Sequence, residues 1–255
     1  MRQLSTSKTF EDIWHSLGQK INSHLIGLDD AKNEDKQKIL ELCQVGKLIS
    51  SYFDDFEIMK VSEKPDFVIS NGQLTVGLEH QLILDPETKS KEGFYSNIFD
   101  KVERKLIQDD AIPNFLLNVI IKGDADLTVN NKDLIINQLV DILRDFLFTG
   151  ELKENDYIVS ARSMKHSRKS ISANYGAYIQ RFIDKNIILE FLKKKDDKID
   201  TYISNSCPIQ WLVLVIGGLG ESSYEIDSNS DLEIDTKFDK VFLYEDFRNR
   251  LYELK

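Results

Sequence analysis

The sequence predicts an α/β fold in which helices flank a mixed central sheet, and two observations support this prediction. Segments with helical spacing of apolar residues alternate with segments typical of strands, in the order helix, three strands, helix, strand. An Asn71-Gly72 pair also joins two alternating apolar segments, which is typical of a β-hairpin. The 255 residues are 41% hydrophobic and 30% charged, an ordinary balance for a globular protein.

We expect a single domain over residues 1–255. Within it, an N-terminal helical extension reaches to about residue 35, and a core with the order αβββαβ spans about 36–122. Residues 123–255 would add further helices and strands to this core.

Two helices and a strand are predicted before the hairpin. Apolar residues at helical spacing indicate an amphipathic helix over about residues 8–27, which Thr9 or Ser7 would cap. A second helix is predicted over about 36–50. Alternation of apolar and polar residues then predicts a strand over 53–61.

After the hairpin, a loop over 85–92 and a helix over about 95–108 are predicted. The continuous apolar run 115–121 indicates a buried strand, which completes the αβββαβ order. The later elements are predicted as helices over 133–148, 187–202 and 245–255 and strands over 157–160, 210–216 and 238–244.

The hairpin places two carboxylates on one face. If its turn has two residues, Asp66 faces Gly77, and Asp66 and Glu79 become diagonal neighbours with Cα atoms roughly 7–8 Å apart. Gly77, directly opposite Asp66, would leave the space between the two carboxylates open. Side chains alternate across a strand, so Gln81 shares this face. An oxygen-rich group of this kind suits Mg²⁺ or Mn²⁺ better than zinc. The alternative is a pair of polar residues on the solvent-exposed side of a purely structural hairpin.

Pro65-Asp66 followed by Glu79-His80-Gln81 resembles the PD-(D/E)XK nuclease superfamily, whose fold is restriction-endonuclease-like. The resemblance implies hydrolysis of phosphodiesters in DNA or RNA, with Mg²⁺ or Mn²⁺ as cofactor. Asp66 and Glu79 would be metal ligands, and the backbone carbonyl of His80 would be a third. The His80 side chain falls on the apolar face, which favours a core histidine.

The family pattern usually has lysine where this chain has Gln81, so Gln81 would have to orient the attacking water. Lys101 or Lys105 from the following helix could replace the missing cation; the alternative for both is a solvated helix face. In the resembled family a helix before the first strand often supplies a further acidic residue. Glu41 is the candidate here, with Glu34 behind it, and a solvated helix face is again the alternative.

The net charge of −10 and the pI near 5.0 argue against a general nucleic-acid coat protein. One local basic cluster, comprising Arg162, Lys165, Arg168 and Lys169, has residues that donate to phosphate oxygens. We expect DNA or RNA as the partner through this cluster, although an exposed loop made soluble by charge explains it equally well.

No apolar run is long enough for a membrane helix, and no signal peptide is visible at the N-terminus. Two cysteines are too few for a disulfide framework, so we expect a reduced, cytoplasmic setting without membrane contact. The sequence thus supports two hypotheses about function. One is a Mg²⁺-dependent nuclease, and the other is a catalytically degenerate module that binds nucleic acid or protein. A third, weaker interpretation is an unrelated α/β protein.

Overall fold

The computed structural model of the protein describes residues 1–123, 125, 131–174, 179–227, 230 and 232–255. Its helices are α1 (Phe10–Leu25), α2 (Asn33–Tyr52), α3 (Pro86–Ile107), α4 (Lys132–Thr149), α5 (Lys185–Asp196) and α6 (Ile199–Asn205). Its strands are β1 (Arg2–Leu4), β2 (Glu57–Val61), β3 (Phe67–Ser70), β4 (Thr75–Leu82), β5 (Phe115–Ile121), β6 (Ile158–Lys165), β7 (Ser170–Asn174), β8 (Arg181–Phe182), β9 (Gln210–Ile216), β10 (Tyr224–Glu225), β11 (Lys240–Glu245) and β12 (Arg250–Glu253).

The chain forms two compact units. Unit 1 comprises Met1–Leu84 and Gln180–Lys255, and unit 2 comprises Asp85–Ile179. The predicted α/β class with a mixed sheet is confirmed. The single-domain organisation stays a prediction. Within the described residues, no helix has both the length and the apolar character needed to cross a membrane.

Unit 1 is built on a seven-stranded sheet in the order β1-β12-β11-β9-β4-β3-β2. Strands β4, β9 and β11 run parallel, and the other neighbouring pairs are antiparallel. All seven residues of β9 are buried, and the six after Gln210 are apolar, as expected for a central parallel strand that is covered on both faces.

Helices cover both faces of this sheet. Alternate residues of β9 enter two different hydrophobic clusters, one shared with α1 and α2 and the other with α5 and α6. Unit 1 is therefore a three-layer arrangement in which each face of the sheet packs against its own pair of helices.

Unit 2 has its own three-stranded sheet, in the order β6-β5-β7, packed against α3 and α4. Strand β5 is antiparallel to β6 and parallel to β7. The buried residues of these elements form a hydrophobic cluster of their own.

The predicted core over about 36–122 is corrected in one respect. The strand Phe115–Ile121 exists with the predicted bounds, but it lies in the sheet of unit 2. The strand that pairs with β4 is β9, and α5 and α6 precede it. Both strands are continuous apolar runs, and such a run indicates burial without indicating which sheet buries it.

Several element predictions are also corrected. The expected loop over 85–92 belongs to α3, because Asp85 caps the helix by accepting from the Thr88 N–H at 2.8 Å and Pro86 occupies the first turn. The helix predicted over 187–202 is two helices, α5 and α6. The helix predicted over 245–255 is wrong, since β12 pairs there with β11 and β1.

Candidate active site

The hairpin register differs from the predicted one by two residues. Ser70 pairs with Thr75 and Phe67 with Leu78, so the predicted two-residue turn is wrong. The side chain of Asn71 explains the longer turn, because its Oδ1 accepts from the N–H groups of Gln73 at 3.1 Å and Leu74 at 2.8 Å. A shift by two preserves which face each side chain occupies.

The observed register brings the two carboxylates closer than expected. Continued by one residue beyond the Phe67 pair, it places Asp66 directly opposite Glu79, where a diagonal arrangement was predicted. The Asp66 N–H donates to Oε2 of Glu79 at 3.3 Å, and Oδ2 of Asp66 accepts from the His80 N–H at 2.8 Å. Each carboxylate is thus tied to the backbone of the other strand.

Gly77 does not lie opposite Asp66. It pairs with Val68, and a Cβ at Gly77 would lie 2.7 Å from Nε2 of Gln210 on the neighbouring strand. The glycine therefore makes room for the Gln210 amide, and the expectation that it opens space between the carboxylates is wrong.

Glu79 is the most fully partnered group of the site. Its side chain is buried, and its Oε1 accepts from Nζ of Lys195 at 2.6 Å and from the hydroxyl of Tyr202 at 2.9 Å. Lys195 lies in the last turn of α5, and Tyr202 lies on α6. Because a buried carboxylate is costly without charged or hydrogen-bonded partners, these two residues stabilise it. Burial and the Glu79 charge raise the pKa of Tyr202, so its hydroxyl stays a donor.

Asp66 is in a different electrostatic position. Burial, followed by repulsion from Glu79, raises the pKa of Asp66 to about 7, and the His80 N–H and Lys195 offset part of this effect. Glu41 adds a smaller repulsion in the same direction. The pair therefore holds more negative charge than Lys195 alone neutralises, which favours a proton or a further cation at Asp66.

His80 is a buried histidine with a polar partner, as its place on the apolar face predicts. Its Nε2 lies 2.9 Å from Oε1 of Gln44, whose Nε2 donates to Asp246 at 3.3 Å. We assign the ring proton to Nε2 of His80, because the amide oxygen of Gln44 that faces this nitrogen can only accept a hydrogen bond. Burial and the charge of Lys195 lower the pKa of His80 to about 4, so the ring is neutral near pH 7.

A cleft of about 580 Å³ opens at these residues. It is lined by Asn33, Lys36, Gln37, Leu40, Glu41, Gln44, Asp66, His80, Gln81, Leu82 and Lys195. A neighbouring cleft of about 340 Å³ shares Gln37, Glu41 and Asp66 with it and also includes Glu34. Both predicted acidic residues of α2 thus lie at clefts that contain Asp66, and Oε1 of Glu41 accepts from Gln37 at 2.9 Å.

Gln81 lines the cleft, but its amide is engaged locally, since Nε2 donates to the Leu82 carbonyl at 2.8 Å. Lys101 and Lys105, the expected replacements for a motif lysine, lie on α3 in unit 2, where Nζ of Lys105 donates to Asn137 at 2.6 Å. Among the described residues, the lysine that bonds to one of the two carboxylates is Lys195.

Sequence reasoning missed Lys195, because three consecutive lysines at 193–195 are typical of a solvated helix face. One signal could have identified it. Ile188, Leu192 and Lys195 recur at helical spacing, so Lys195 lies on the stripe of α5 that packs against the sheet. A lysine on the buried stripe of a helix needs an acidic partner, and Glu79 is that partner.

The four residues of the basic cluster do not share one surface. Arg162 and Lys165 are three positions apart on β6, so their side chains point to opposite faces of the strand. Nζ of Lys169 donates to the carbonyls of Ile107 at 3.1 Å and Asp109 at 2.7 Å, which satisfies the C-terminal end of α3. Arg168 lies in the connection between β6 and β7.

The described residues contain no group of three or more His, Cys, Asp or Glu side chains placed to hold a metal ion. Of the predicted side-chain ligands, Asp66 and Glu79 face each other, and Glu41 lines the cleft that contains Asp66. Comparisons with known proteins add no family, because no family model, curated protein or solved structure matches the chain.

Proposed function

We propose that this protein is a metal-dependent phosphodiester hydrolase, a nuclease that acts on DNA or RNA. The observation that supports this most directly is that Asp66 and Lys195 line one cleft and that the buried Glu79 is hydrogen-bonded to both of them. Two carboxylates and an ammonium group combine the residue types that can bind a cation, orient water and neutralise phosphate charge.

The order of elements in unit 1 supports the resemblance to the PD-(D/E)XK superfamily. Helix α2 is followed by the antiparallel strands β2, β3 and β4, then by α5 and α6, and then by β9 parallel to β4. This is an αβββαβ order, with unit 2 inserted between β4 and α5. The acidic pair lies on β4 and next to the start of β3, where the family pattern has its two acidic residues.

The donor set fits a hard divalent cation that keeps most of its water. Mg²⁺ is commonly held by one or two carboxylates together with substrate phosphate. Asp66 suits this role, because within the described residues the His80 N–H is its one hydrogen-bond donor. Glu79 would be the second ligand and Glu41 a ligand through water. When bound, such an ion supplies charge neutralisation and a bound water of lowered pKa.

The residues of the chain itself then have separable roles. Lys195 takes the place that the sequence pattern assigns to position 81, and its ammonium group can donate to a phosphate oxygen or to the attacking water. Tyr202 holds Oε1 of Glu79 in place. His80 contributes its backbone, while its neutral side chain fixes β4 against Gln44 of α2.

The role of Lys195 is tested by cleavage of an end-labelled oligonucleotide in Mg²⁺ or Mn²⁺. Lys195→Ala should lower the rate by at least about a hundredfold, the usual effect of removing a group that stabilises transition-state charge. Lys194→Ala is the matched control, because Lys194 is exposed on the same helix. Equal rates for the two variants would remove Lys195 from the mechanism.

A second candidate function is a non-catalytic module that binds nucleic acid or protein. It is favoured by the saturation of Glu79, whose two oxygens already accept from Lys195, Tyr202 and the Asp66 backbone. Calorimetric titration with Mn²⁺ separates the two candidates. If the protein is a hydrolase, it should bind Mn²⁺, and Asp66→Asn should weaken that binding. If it binds no detectable Mn²⁺, the non-catalytic module is favoured.

A further inference from the structure

Two aromatic side chains stack on each other at the surface of unit 1. Phe10 and Trp14 are one turn apart at the start of α1, with ring centroids 6.1 Å apart and planes inclined by 20°. Phe10 is 76% exposed and Trp14 is 66% exposed. The helix start is fixed by a reciprocal cap between Thr9 and Asp12, so the pair is held on a regular helix.

Trp14 of this pair borders a groove that shares two lining residues with the cleft of the candidate active site. Trp14, Leu17 and Ile21 of α1 line one side of this groove, whose volume is about 470 Å³. Leu40 and Gln44 of α2 line both this groove and the cleft that contains Asp66. A polymer lying in the cleft can therefore extend along α2 to the aromatic pair without leaving the protein surface.

We propose that this groove binds unpaired nucleobases, so that the substrate is a single-stranded nucleic acid whose bases stack on Trp14 and Phe10. The proposal rests on the proposed hydrolase function, since a phosphodiester in the cleft sets the path of the strand. Aromatic side chains stack on any base, whereas the bases of a duplex are already stacked on each other.

The charge of the chain favours stacking over a purely electrostatic surface. A protein with a net charge of −10 repels a phosphate backbone at long range, so contacts other than charge must supply a large share of the affinity. One exposed cation, Lys36, lies at the cleft. Lys47 at the groove is half-buried and paired with Asp246 at 3.0 Å, so stacking rather than charge must hold a strand there. Aromatic residues interleaved with local cations are the combination that single-strand binding proteins use.

Tryptophan fluorescence tests the proposal directly. The chain has two tryptophans, and Trp211 is only 6% exposed, so quenching by a stacked base reports on Trp14. The probes are single-stranded oligothymidylate and oligouridylate, with the oligothymidylate–oligoadenylate duplex as comparison, all in EDTA to prevent cleavage. We expect at least one single strand to quench the fluorescence and to bind more tightly than the duplex.

Variants then assign the binding to the aromatic pair. Binding of a labelled single strand is measured by fluorescence anisotropy. Trp14→Ala should weaken this binding about tenfold, and Trp14→Phe should retain most of it. Phe247→Ala is the matched control, because Phe247 is 65% exposed in unit 1 and does not line the groove. Circular dichroism should be unchanged, because Trp14 is a mostly exposed helix residue.

Several results would overturn the proposal: no quenching by either strand, wild-type affinity in Trp14→Ala, or equally tight binding of the duplex. A change in the sedimentation of the protein alone in Trp14→Ala would instead show that a second copy occupies the groove. The two proposals fail separately. Quenching without metal-dependent cleavage removes the hydrolase, whereas cleavage at an unchanged kcat/KM in Trp14→Ala removes the stacking surface.

Discussion

Asp66 and Glu79 carry the same charge on neighbouring strands, but their surroundings differ. Glu79 is surrounded by donors from α5, α6 and the start of β3, and these stabilise its charge. Asp66 accepts one backbone N–H and faces the cleft. The site therefore has one carboxylate whose charge is balanced by partners and one whose ionised form is disfavoured unless a proton or a cation neutralises it.

The first prediction concerns the pH dependence of stability in metal-free protein. The pKa of Asp66 is raised from 3.8 to about 7 in the folded state. Between about pH 4 and 7 the folded protein thus holds a proton that the unfolded chain releases, and the contribution of Asp66 to the free energy of unfolding falls as pH rises. His80, whose pKa is lowered from 6.5 to about 4, acts in the opposite direction.

Comparison with Asp66→Asn isolates the contribution of Asp66, because His80 is present in both proteins. Urea unfolding in EDTA should show the variant gaining stability relative to wild type by roughly 1–3 kcal/mol between about pH 5 and 7, with no further gain above that range. Parallel pH profiles for the two proteins would contradict the raised pKa.

The second prediction concerns Tyr202. Its buried hydroxyl donates to a charged acceptor, so Tyr202→Phe should lower the free energy of unfolding by about 1.5–3 kcal/mol. Tyr52→Phe is the comparison, because the Tyr52 hydroxyl donates to the neutral carbonyl of Asn249 at 2.7 Å, and its loss should cost about 1 kcal/mol. Equal losses of unfolding free energy in the two variants, measured by chemical denaturation, would show that the Glu79 charge adds nothing to the hydrogen bond.

At the scale of elements, the hairpin shows what sequence reasoning can and cannot provide. The Asn71-Gly72 pair predicted the turn. Alternation along the strands predicted correctly that Asp66, Glu79 and Gln81 lie on the same face of the hairpin. The register was wrong by two residues, because the turn length depends on hydrogen bonds of the Asn71 side chain that composition does not specify. The reason for Gly77 was also wrong, since its neighbour Gln210 lies 133 positions later in the chain (210 − 77).

The third prediction follows from that glycine. Gly77→Ala would press a methyl group against the Gln210 amide, which Ser206 holds at 3.0 Å, so we expect a loss of about 1–3 kcal/mol in urea unfolding. Gly93→Ala is the control, because a Cβ at this exposed position of helix α3 meets open space and should stabilise the protein by up to about 1 kcal/mol.

A second variant tests the cause. Gln210→Ala removes the obstructing amide, so the double variant Gly77→Ala/Gln210→Ala should cost clearly less than the sum of the two single changes. Additive costs would mean that the Gln210 side chain is not what keeps position 77 a glycine.

At the scale of the whole molecule, the insertion of unit 2 explains the largest error in the sequence-based fold. The αβββαβ order was predicted from contiguous residues, whereas the strand next to β4 is reached only after unit 2 and two helices. Hydrophobic patterns locate buried strands, but the choice of partner strand depends on contacts far apart in the chain. The pairing of Lys195 with Glu79 is likewise a contact between residues far apart in the chain, because all of unit 2 lies between them in sequence.

The fourth prediction is that unit 2 folds by itself. The described part of residues 85–179 comprises two helices and a three-stranded sheet around a separate hydrophobic cluster. An isolated fragment should therefore unfold cooperatively in urea, with the circular dichroism of a mixed α/β protein. A fragment without a cooperative transition would show that unit 2 depends on the rest of the chain.

The central claim is that Asp66 and Glu79 form the metal-dependent centre of a phosphodiester hydrolase. The most direct measurement is the single-turnover cleavage rate of an end-labelled oligonucleotide in Mg²⁺ or Mn²⁺ and in EDTA. We predict that the wild type cleaves only when metal is present, and that Glu190→Gln, a control at an exposed carboxylate, does the same. Asp66→Asn and Glu79→Gln should each lower the cleavage rate by at least about a hundredfold. Metal-dependent cleavage that persists at the wild-type rate in both variants would contradict it.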